Sequence, residues 1–283
     1  MTLSGLQPRH WRRFGLHSLL LIGAAAMVYP LFWLVVSSLK RSQEIFSNPS
    51  GLPAKLDFAN YTNGWTGQGM VFGRFLINSL AVSVGAAVGN IIACSMTAYA
   101  FARLDFRFKR VCFVLMLGCI MLPRHAVLIP QYVLFFKLGW VNTFAPLIAP
   151  KFLATDAFFV FLMVQFIRGL PRELDDAAKV DGCGPYMLYI LIILPLLRPA
   201  LVVTGLFTFI WTYDDFFSQL IYLNDTSLYT VPLGLRLFLA STGESSYGPL
   251  LAMSVLSLVP VFLLFLWFQR LLVEGISTTG LKA

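Results

Sequence analysis

Charged residues are scarce in this chain. Asp, Glu, Lys and Arg together make up 12% of its 283 residues, whereas soluble domains carry about 25%. Hydrophobic residues reach 58%, and the mean hydropathy is +0.77. This composition excludes an ordinary water-soluble domain. A helix needs roughly 20 apolar residues to cross a bilayer, so the length allows several spans within one polytopic membrane domain.

Residues and motifs that build catalytic or metal sites are also few. The four cysteines include no CxxC pair, so neither a disulfide framework nor a zinc site is predicted. The three histidines, at positions 10, 17 and 125, lack metal-ligand spacing, and the HExxH and GxSxG motifs are absent. These absences argue against a membrane enzyme. No Gly-Lys dipeptide occurs either, so the chain lacks a phosphate-binding loop for ATP.

Long apolar runs, in contrast, are abundant. Six of them lie near residues 15 to 39, 75 to 102, 111 to 136, 146 to 168, 188 to 213 and 249 to 270. The three alanines at 24 to 26 could form a signal-peptidase site, but the first run continues uncharged to residue 39, longer than a usual signal core. We therefore expect an uncleaved first span and an all-α integral membrane fold with six transmembrane helices.

Lysine and arginine are distributed unevenly between the two sets of loops. The net charge of +8 comes from short clusters between apolar runs, a pattern that sets membrane orientation and does not indicate nucleic acid binding. Both termini and one set of loops hold most of these cations: Arg9, Arg12, Arg13, Arg103, Arg107, Lys109, Arg110, Arg168, Arg172, Lys179, Arg270 and Lys282. The positive-inside rule places this side in the cytoplasm. The predicted organisation is a cytoplasmic N-terminus at 1–14, a transmembrane domain at 15–272 with a cytoplasmic loop at 169–187, and a cytoplasmic tail at 273–283.

Small residues recur every four positions along the second predicted span. They form a ridge down one helix face: Ala81, Gly85, Gly89, Ala93 and Thr97. Helices can approach closely along such a ridge, and packing within the bundle is favoured over a subunit interface. No internal repeat is strong enough to indicate an ion-coupled secondary transporter, which remains the alternative function.

A polar stretch at residues 171–184 separates the fourth and fifth predicted spans on the predicted cytoplasmic side. Its pattern predicts a short helix, with Pro171 at the first helical position and Gly182 after its end. Charged residues suit the two ends of this helix: Glu173, Asp175 and Asp176 at the start, and Lys179 in the last turn. Leu174, Ala177 and Ala178 fall on one narrow apolar face that would fit a cleft on another protein.

This stretch resembles the cytoplasmic signature of ABC importer permeases, which is Glu-Ala-Ala, three residues, Gly, nine residues and Ile-x-Leu-Pro. Every spacing is kept in the matching residues: Asp176, Ala177, Ala178, Gly182, Ile192, Leu194 and Pro195. Asp176 stands where the family has Glu, which shortens the side chain but keeps its charge. The likeness covers nearly the whole chain and is strongest to the maltose-type carbohydrate-uptake permeases. Its further landmarks are Asn78-Ser79-Leu80, Ala98-Tyr99-Ala100-Phe101-Ala102-Arg103, Leu138-Gly139, Asn142-Thr143 and Gln269-Arg270.

The resemblance implies a type I (MetI-like) permease subunit in the inner, or cytoplasmic, membrane of a bacterium. A second permease subunit would complete the pore as a heterodimer, two ATPase subunits would hold ATP and Mg, and an extracytoplasmic solute-binding protein would deliver the sugar. This chain would then bind no cofactor itself and catalyse no reaction. The resemblance also implies two sets of residues that contact the ATPases: the coupling residues Glu173, Asp176, Ala177, Ala178, Gly182, Ile192, Leu194 and Pro195, and the tail residues Gly280 and Lys282.

Charged groups at bilayer depth are candidate substrate contacts, because each costs about 3 kcal/mol unless it faces a cavity or a partner. The charged candidates are Arg124, His125, Lys151 and Asp156, and Tyr213 and Asp214 at the end of the fifth predicted span are further candidates. Arg124, His125 and Lys151 would suit an acidic oligosaccharide or a sugar phosphate. Alternatively, Lys151 pairs with Asp156, Arg124 reaches the membrane surface and His125 bonds to backbone. Asp214 and Asp215 argue against a strongly anionic path, unless they pair with Arg236 or belong to the interface with the partner permease.

Overall fold

The computed structural model describes the backbone of residues 9–67, 69, 71–240 and 247–280, and the side chains of 15–67, 69, 71–123, 126–239 and 247–269. This part of the chain is helical and contains no β-strand. The α-helices are α1 (Arg9–Ser38), α2 (Ser42–Ser47), α3 (Ala59–Thr66), α4 (Phe72–Arg103), α5 (Lys109–Ile120), α6 (Arg124–Lys137), α7 (Ala145–Ile148), α8 (Ala157–Arg168), α9 (Glu173–Val180), α10 (Pro185–Leu188), α11 (Leu194–Leu196), α12 (Arg198–Tyr213), α13 (Phe216–Tyr222), α14 (Val231–Ala240) and α15 (Tyr247–Gly280). Two 3₁₀ helices, Ala149–Leu153 and Thr226–Leu228, and a π-helical turn, Tyr189–Ile193, join some of them.

Four stretches of the described chain are long and apolar enough to cross a bilayer: Gly15–Ser38, Phe72–Arg103, Ala145–Arg168 and Tyr247–Gln269. A fifth consists of two consecutive segments, Pro185–Leu196 and Arg198–Tyr213, that meet at 75°. Pro199 explains this bend, because it has no N–H to donate to the carbonyl of Pro195.

The third predicted span is not one continuous helix. It consists of α5 and α6, separated by Met121, Leu122 and Pro123, and each is too short to cross a bilayer alone. Pro123 ends the helical run, since it lacks an N–H and disfavours the helical conformation at Leu122. A break of this kind cannot be recognised from the hydropathy of the segment or from the length of its apolar run.

The chain forms two compact units. One comprises residues 1–69 with 237–256, and the other comprises 70–236 with 257–283. In the first unit the buried Lys40 follows α1, and its Nζ donates to the carbonyls of Asn48 and Pro49 at 2.9 and 3.3 Å. The Asn60 amide donates to the carbonyls of Ser38 and Lys40, which fixes α3 to the end of α1.

Helix α4 is the centre of the second unit and packs against α8 and α12. At its N-terminal end, Asn78 donates to the carbonyls of Ser227 and Tyr229. The same segment is turned by Asp225, whose carboxylate accepts the N–H of Ser227 at 2.8 Å. This bond lowers the pKa of Asp225. The polar segment after α13 is therefore fixed to α4.

The ridge of small residues on α4 packs within the bundle at two of its positions. Gly85 lies against Ile148, where an added Cβ would come within 3.2 Å of that side chain. Gly89 is buried, and an added Cβ would come within 2.5 Å of the Phe152 ring. At these positions the ridge lets α7 and the following 3₁₀ helix, Ala149–Leu153, approach α4 closely.

Candidate functional site

The polar segment between α8 and α12 contains the predicted short helix, α9. It begins at Glu173, so Pro171 precedes the helix, and its predicted place at the first helical position is wrong. Arg172 takes the N-cap position, and its carbonyl accepts the N–H groups of Asp175 and Asp176. The acidic side chains of the first turn therefore lie at the positive end of the helix, where the macrodipole favours them.

Gly182 ends α9 in the way that the sequence predicts. Its φ is +80°, in the left-handed region that favours glycine. Its N–H donates to the carbonyl of Lys179 at 3.0 Å, and the N–H of Cys183 donates to that of Ala178 at 2.9 Å. This pair of bonds is the Schellman motif, which satisfies two of the carbonyls at the helix end.

The buried and exposed faces of α9 differ from those that the sequence predicts. Asp175 and Ala178 point into the protein's own bundle and are buried, whereas Ala177 is exposed. Val180, three residues after Ala177, is 88% exposed. Ala178 therefore does not share the exposed apolar face, because the bundle covers it. That face is formed by Leu174, which is 38% exposed, together with Ala177 and Val180, and exposed acidic residues lie around it: Glu173, Asp176 and Asp181.

Two side chains of α4 hold the segment around α9 in place. Arg103 Nε lies 3.0 Å from Asp175 Oδ2, and its Nη2 donates to the carbonyl of Leu170 at 2.9 Å. The Tyr99 hydroxyl donates to the carbonyl of Pro185 at 3.0 Å. The buried face of α9 is thus attached to α4, and its other face remains exposed.

The rest of the signature lies at the start of the bent fifth span. Ile192 belongs to the π-helical turn and packs against a buried cluster that includes Ala178 and Leu188. Leu194 and Pro195 form α11, directly before the bend. Of the two tail residues, Gly280 ends the described part of α15, and Lys282 lies outside the described residues.

A cavity of about 560 Å³ lies in the second unit, between residues of α6, α8, α12 and α13. Its polar lining includes Gln131, Lys151, Asp156, Asp215 and Gln219. Trp211, which is 46% exposed, provides an aromatic surface in the same wall. An aromatic face beside several hydrogen-bonding groups is suited to a sugar ring.

One lysine in the cavity wall is paired with an aspartate of the same wall. Lys151 Nζ lies 2.6 Å from Asp156 Oδ2, which is the pairing that the sequence left open as an alternative. Asn90 of α4 donates to the same carboxylate oxygen at 2.9 Å and to Thr208 Oγ1 at 2.8 Å. Lys151 is therefore not a free cation facing the cavity.

Two other candidate substrate residues, Tyr213 and Asp214, do not line this cavity. The Tyr213 side chain is buried and donates its hydroxyl proton to the carbonyl of Ser257 at 2.9 Å, away from the cavity. Asp214 lines a neighbouring pocket together with Asp215 and Trp211. The side chains of Arg124 and His125 lie outside the described residues.

Residues 85–278, which include both the α9 segment and the cavity wall, match the sequence model of a family described as the binding-protein-dependent transport system inner membrane component. The chain belongs to this family. Members are the non-catalytic membrane subunits of ABC importers, which work with a partner permease, ATPase subunits and a binding protein.

Individual relatives of this permease agree with the family. It is 34% identical to the arabinooligosaccharides transport system permease protein AraQ of Halalkalibacterium halodurans, over 90% of this chain and 91% of that protein. It is 31% identical to the trehalose/maltose transport system permease protein MalG of Thermococcus litoralis, over 93% and 96%. A chain in the crystal structure of a bacterial ABC transporter that imports the acidic polysaccharide alginate superposes with a TM-score of 0.79, at 20% identity and over 94% and 99% of the two chains.

Sequence reasoning missed several residues of this permease that the structure brings to the site. Asn90, Trp211 and Gln219 each place a polar or amphipathic side chain inside or beside an apolar helix, and that pattern could have identified them. Val180 was also missed, although it follows Ala177 at the three-residue spacing of one helix face.

Proposed function

We propose that this permease forms half of the translocation pore of an ABC importer for oligosaccharides in a bacterial cytoplasmic membrane. A second permease subunit completes the pore as a heterodimer, and two ATPase subunits and an extracytoplasmic binding protein complete the importer. Both termini and α9 face the cytoplasm. The observation that carries the proposal is the division of α9, which has one face fixed to its own bundle and one face left exposed.

Helix α9 receives the movement of the ATPase subunits. Ala177 and Val180 enter a cleft on an ATPase subunit, and Glu173 and Asp176 fix the register through charge. The small side chain at 177 permits close approach, so closure of the ATPase dimer displaces α9. The bundle then changes between inward-facing and outward-facing states, a two-state element biased by ATP bound elsewhere.

The cavity at Trp211 is this chain's part of the substrate path. Lys151 is neutralised by Asp156, and Asp214 and Asp215 add negative charge nearby. This balance favours a neutral oligosaccharide over an acidic one, since a carboxylate or phosphate would meet more anions than cations among the described side chains. The names of the AraQ and MalG relatives, at 34% and 31% identity, refer to arabinooligosaccharides and to trehalose and maltose, which are neutral sugars. The structure of the importer of the acidic polysaccharide alginate matches at only 20% identity, which shows the shared fold alone.

The test is sugar uptake by the complete importer reconstituted in proteoliposomes with its binding protein. We expect ATP-dependent uptake of a neutral oligosaccharide in preference to an oligouronate. Ala177→Asp should abolish uptake while the permease pair still assembles, because a buried charge would face the ATPase cleft. Ala59→Asp, the same change at an exposed alanine of the short helix α3, is the control and should leave uptake unchanged. Normal uptake by Ala177→Asp would refute the coupling role of α9.

A further inference from the structure

Three polar side chains on the C-terminal part of α4 bind the segment that contains α9. Ser95, Tyr99 and Arg103 stand four residues apart and so lie along one face of the helix. Ser95 and Tyr189 bring their hydroxyl oxygens within 2.8 Å of each other, at the far end of the segment. Together with the contacts of Tyr99 and Arg103, this row binds the chain before, within and after α9.

Arg103 holds the critical position in this row. Its side chain is 4% exposed and that of Asp175 is 11% exposed, so the ion pair is shielded from water. Removing one partner of such a pair leaves the other as an uncompensated buried charge. The guanidinium also binds the Leu170 carbonyl, which fixes the direction in which the chain leaves α8 to enter α9.

We propose that Arg103 is a positioning residue that clamps α9 to α4, so that displacement of α9 by the ATPase subunits is transmitted into α4. This proposal rests on the coupling role of α9 proposed above. Without the clamp, α9 would still occupy its ATPase cleft, but it would shift relative to the bundle when the ATPases close. ATP would then be hydrolysed with little transport.

Helix α4 continues from the clamp to the cavity wall. Asn90 lies five residues before Ser95, and its amide binds Asp156, which lines the cavity, and Thr208 of α12. A continuous helix of 32 residues is about 48 Å long and moves largely as a rigid body at this scale. Movement imposed at Arg103 therefore reaches the carboxylate that neutralises Lys151.

The experiment measures sugar imported per ATP hydrolysed by the complete importer in proteoliposomes, together with assembly by co-purification. Arg103→Gln should lower this ratio about fivefold or more, the low end of typical coupling factors, while the ATPase subunits remain bound and active. Asp175→Asn should act in the same direction. The double substitution should add little to either single one, since both break the same pair.

Two further variants separate positioning from general structural damage. Arg103→Lys keeps the charge but not the forked geometry, so its ratio should recover to between those of Arg103→Gln and the wild type. Arg107→Gln is the matched control, because this exposed arginine four residues later stacks on Phe108, and its ratio should not change.

A wild-type ratio in Arg103→Gln would overturn the clamp. If that variant does not assemble, the ratio of Asp175→Asn decides, because asparagine keeps the volume of the side chain, and a wild-type ratio there has the same consequence. Failure of the wild-type complex to couple uptake to ATP would instead refute the proposed function. An active wild-type complex with uncoupled Arg103 and Asp175 variants would support both proposals.

Discussion

Single polar side chains attach distant parts of this permease to α4. Asn78 binds a segment about 150 residues later, Asn90 binds α8 and α12, and Arg103 binds α9. Polar groups in an apolar bundle need such partners because unpaired ones are costly there. The sequence showed Asn78 and Arg103 within recognisable landmarks. Their partners were not predictable, since they lie 67 to 151 residues away along the chain.

Gly234 shows how a close contact can restrict a single position. It is buried in α14, and an added Cβ would overlap the ring of Phe75, which is 1% exposed and has little room to move. Gly234→Ala gains about 1 kcal/mol of helix propensity but incurs an overpacking cost of about 1–3 kcal/mol. We expect net destabilisation, with a melting temperature in detergent about 2–4 °C lower.

Gly118→Ala is the control for this substitution. Gly118 lies inside α5, where an added Cβ would meet no atom within 4 Å, so the propensity gain should appear without a clash. Its melting temperature should be unchanged or slightly higher. Equal melting temperatures for Gly234→Ala and the wild type would show that the Phe75 ring can move aside at little cost, and would contradict this prediction.

At the scale of helices, features that depend on neighbouring residues could be predicted from the sequence, whereas features that depend on tertiary contacts could not. The existence and end of α9 follow from its acidic first turn and from Gly182, which act within a few residues. Which face of α9 is buried depends on Arg103 and the core cluster, which lie elsewhere in the chain. The break between α5 and α6 was missed because hydropathy averages over the single Pro123.

The two glycines that follow α9 differ in backbone conformation, so one serves as the control for the other. Gly182 has a φ of +80°, whereas Gly184 has a φ of −73°, and neither would place an added Cβ within 4 Å of another atom. Gly182→Ala should therefore cost about 1–2 kcal/mol through backbone conformation alone. Gly184→Ala should cost nothing comparable.

Sugar uptake by the reconstituted importer measures the consequence. We expect reduced uptake in Gly182→Ala, because the Schellman bonds of Gly182 and Cys183 set the path of the chain after α9. Uptake in Gly184→Ala should match the wild type. A similar loss in both variants would mean that the segment tolerates no side chain, whatever its backbone conformation.

For the whole molecule, the number of membrane crossings depends on the pair α5 and α6. Four continuous spans and the bent pair meet the length requirement, whereas α5 and α6 contribute only as a broken pair. The six apolar runs predict six crossings, and the distribution of Lys and Arg predicts that the chain lies on the cytoplasmic side before α1 and at α9. If α5 and α6 did not cross, α9 and the loop after α1 would lie on the same side.

Labelling from the two sides of the membrane tests this topology. In a variant whose four native cysteines are replaced by alanine, Phe58→Cys marks the loop after α1 and Val180→Cys marks α9. Both side chains are largely exposed in the chain itself, at 63% and 88%. A membrane-impermeant maleimide should label Phe58→Cys in right-side-out vesicles and Val180→Cys in inverted ones. Labelling of both positions from one side would show that α5 and α6 form a re-entrant pair, and it would remove α9 from the reach of the ATPases if that side is the exterior.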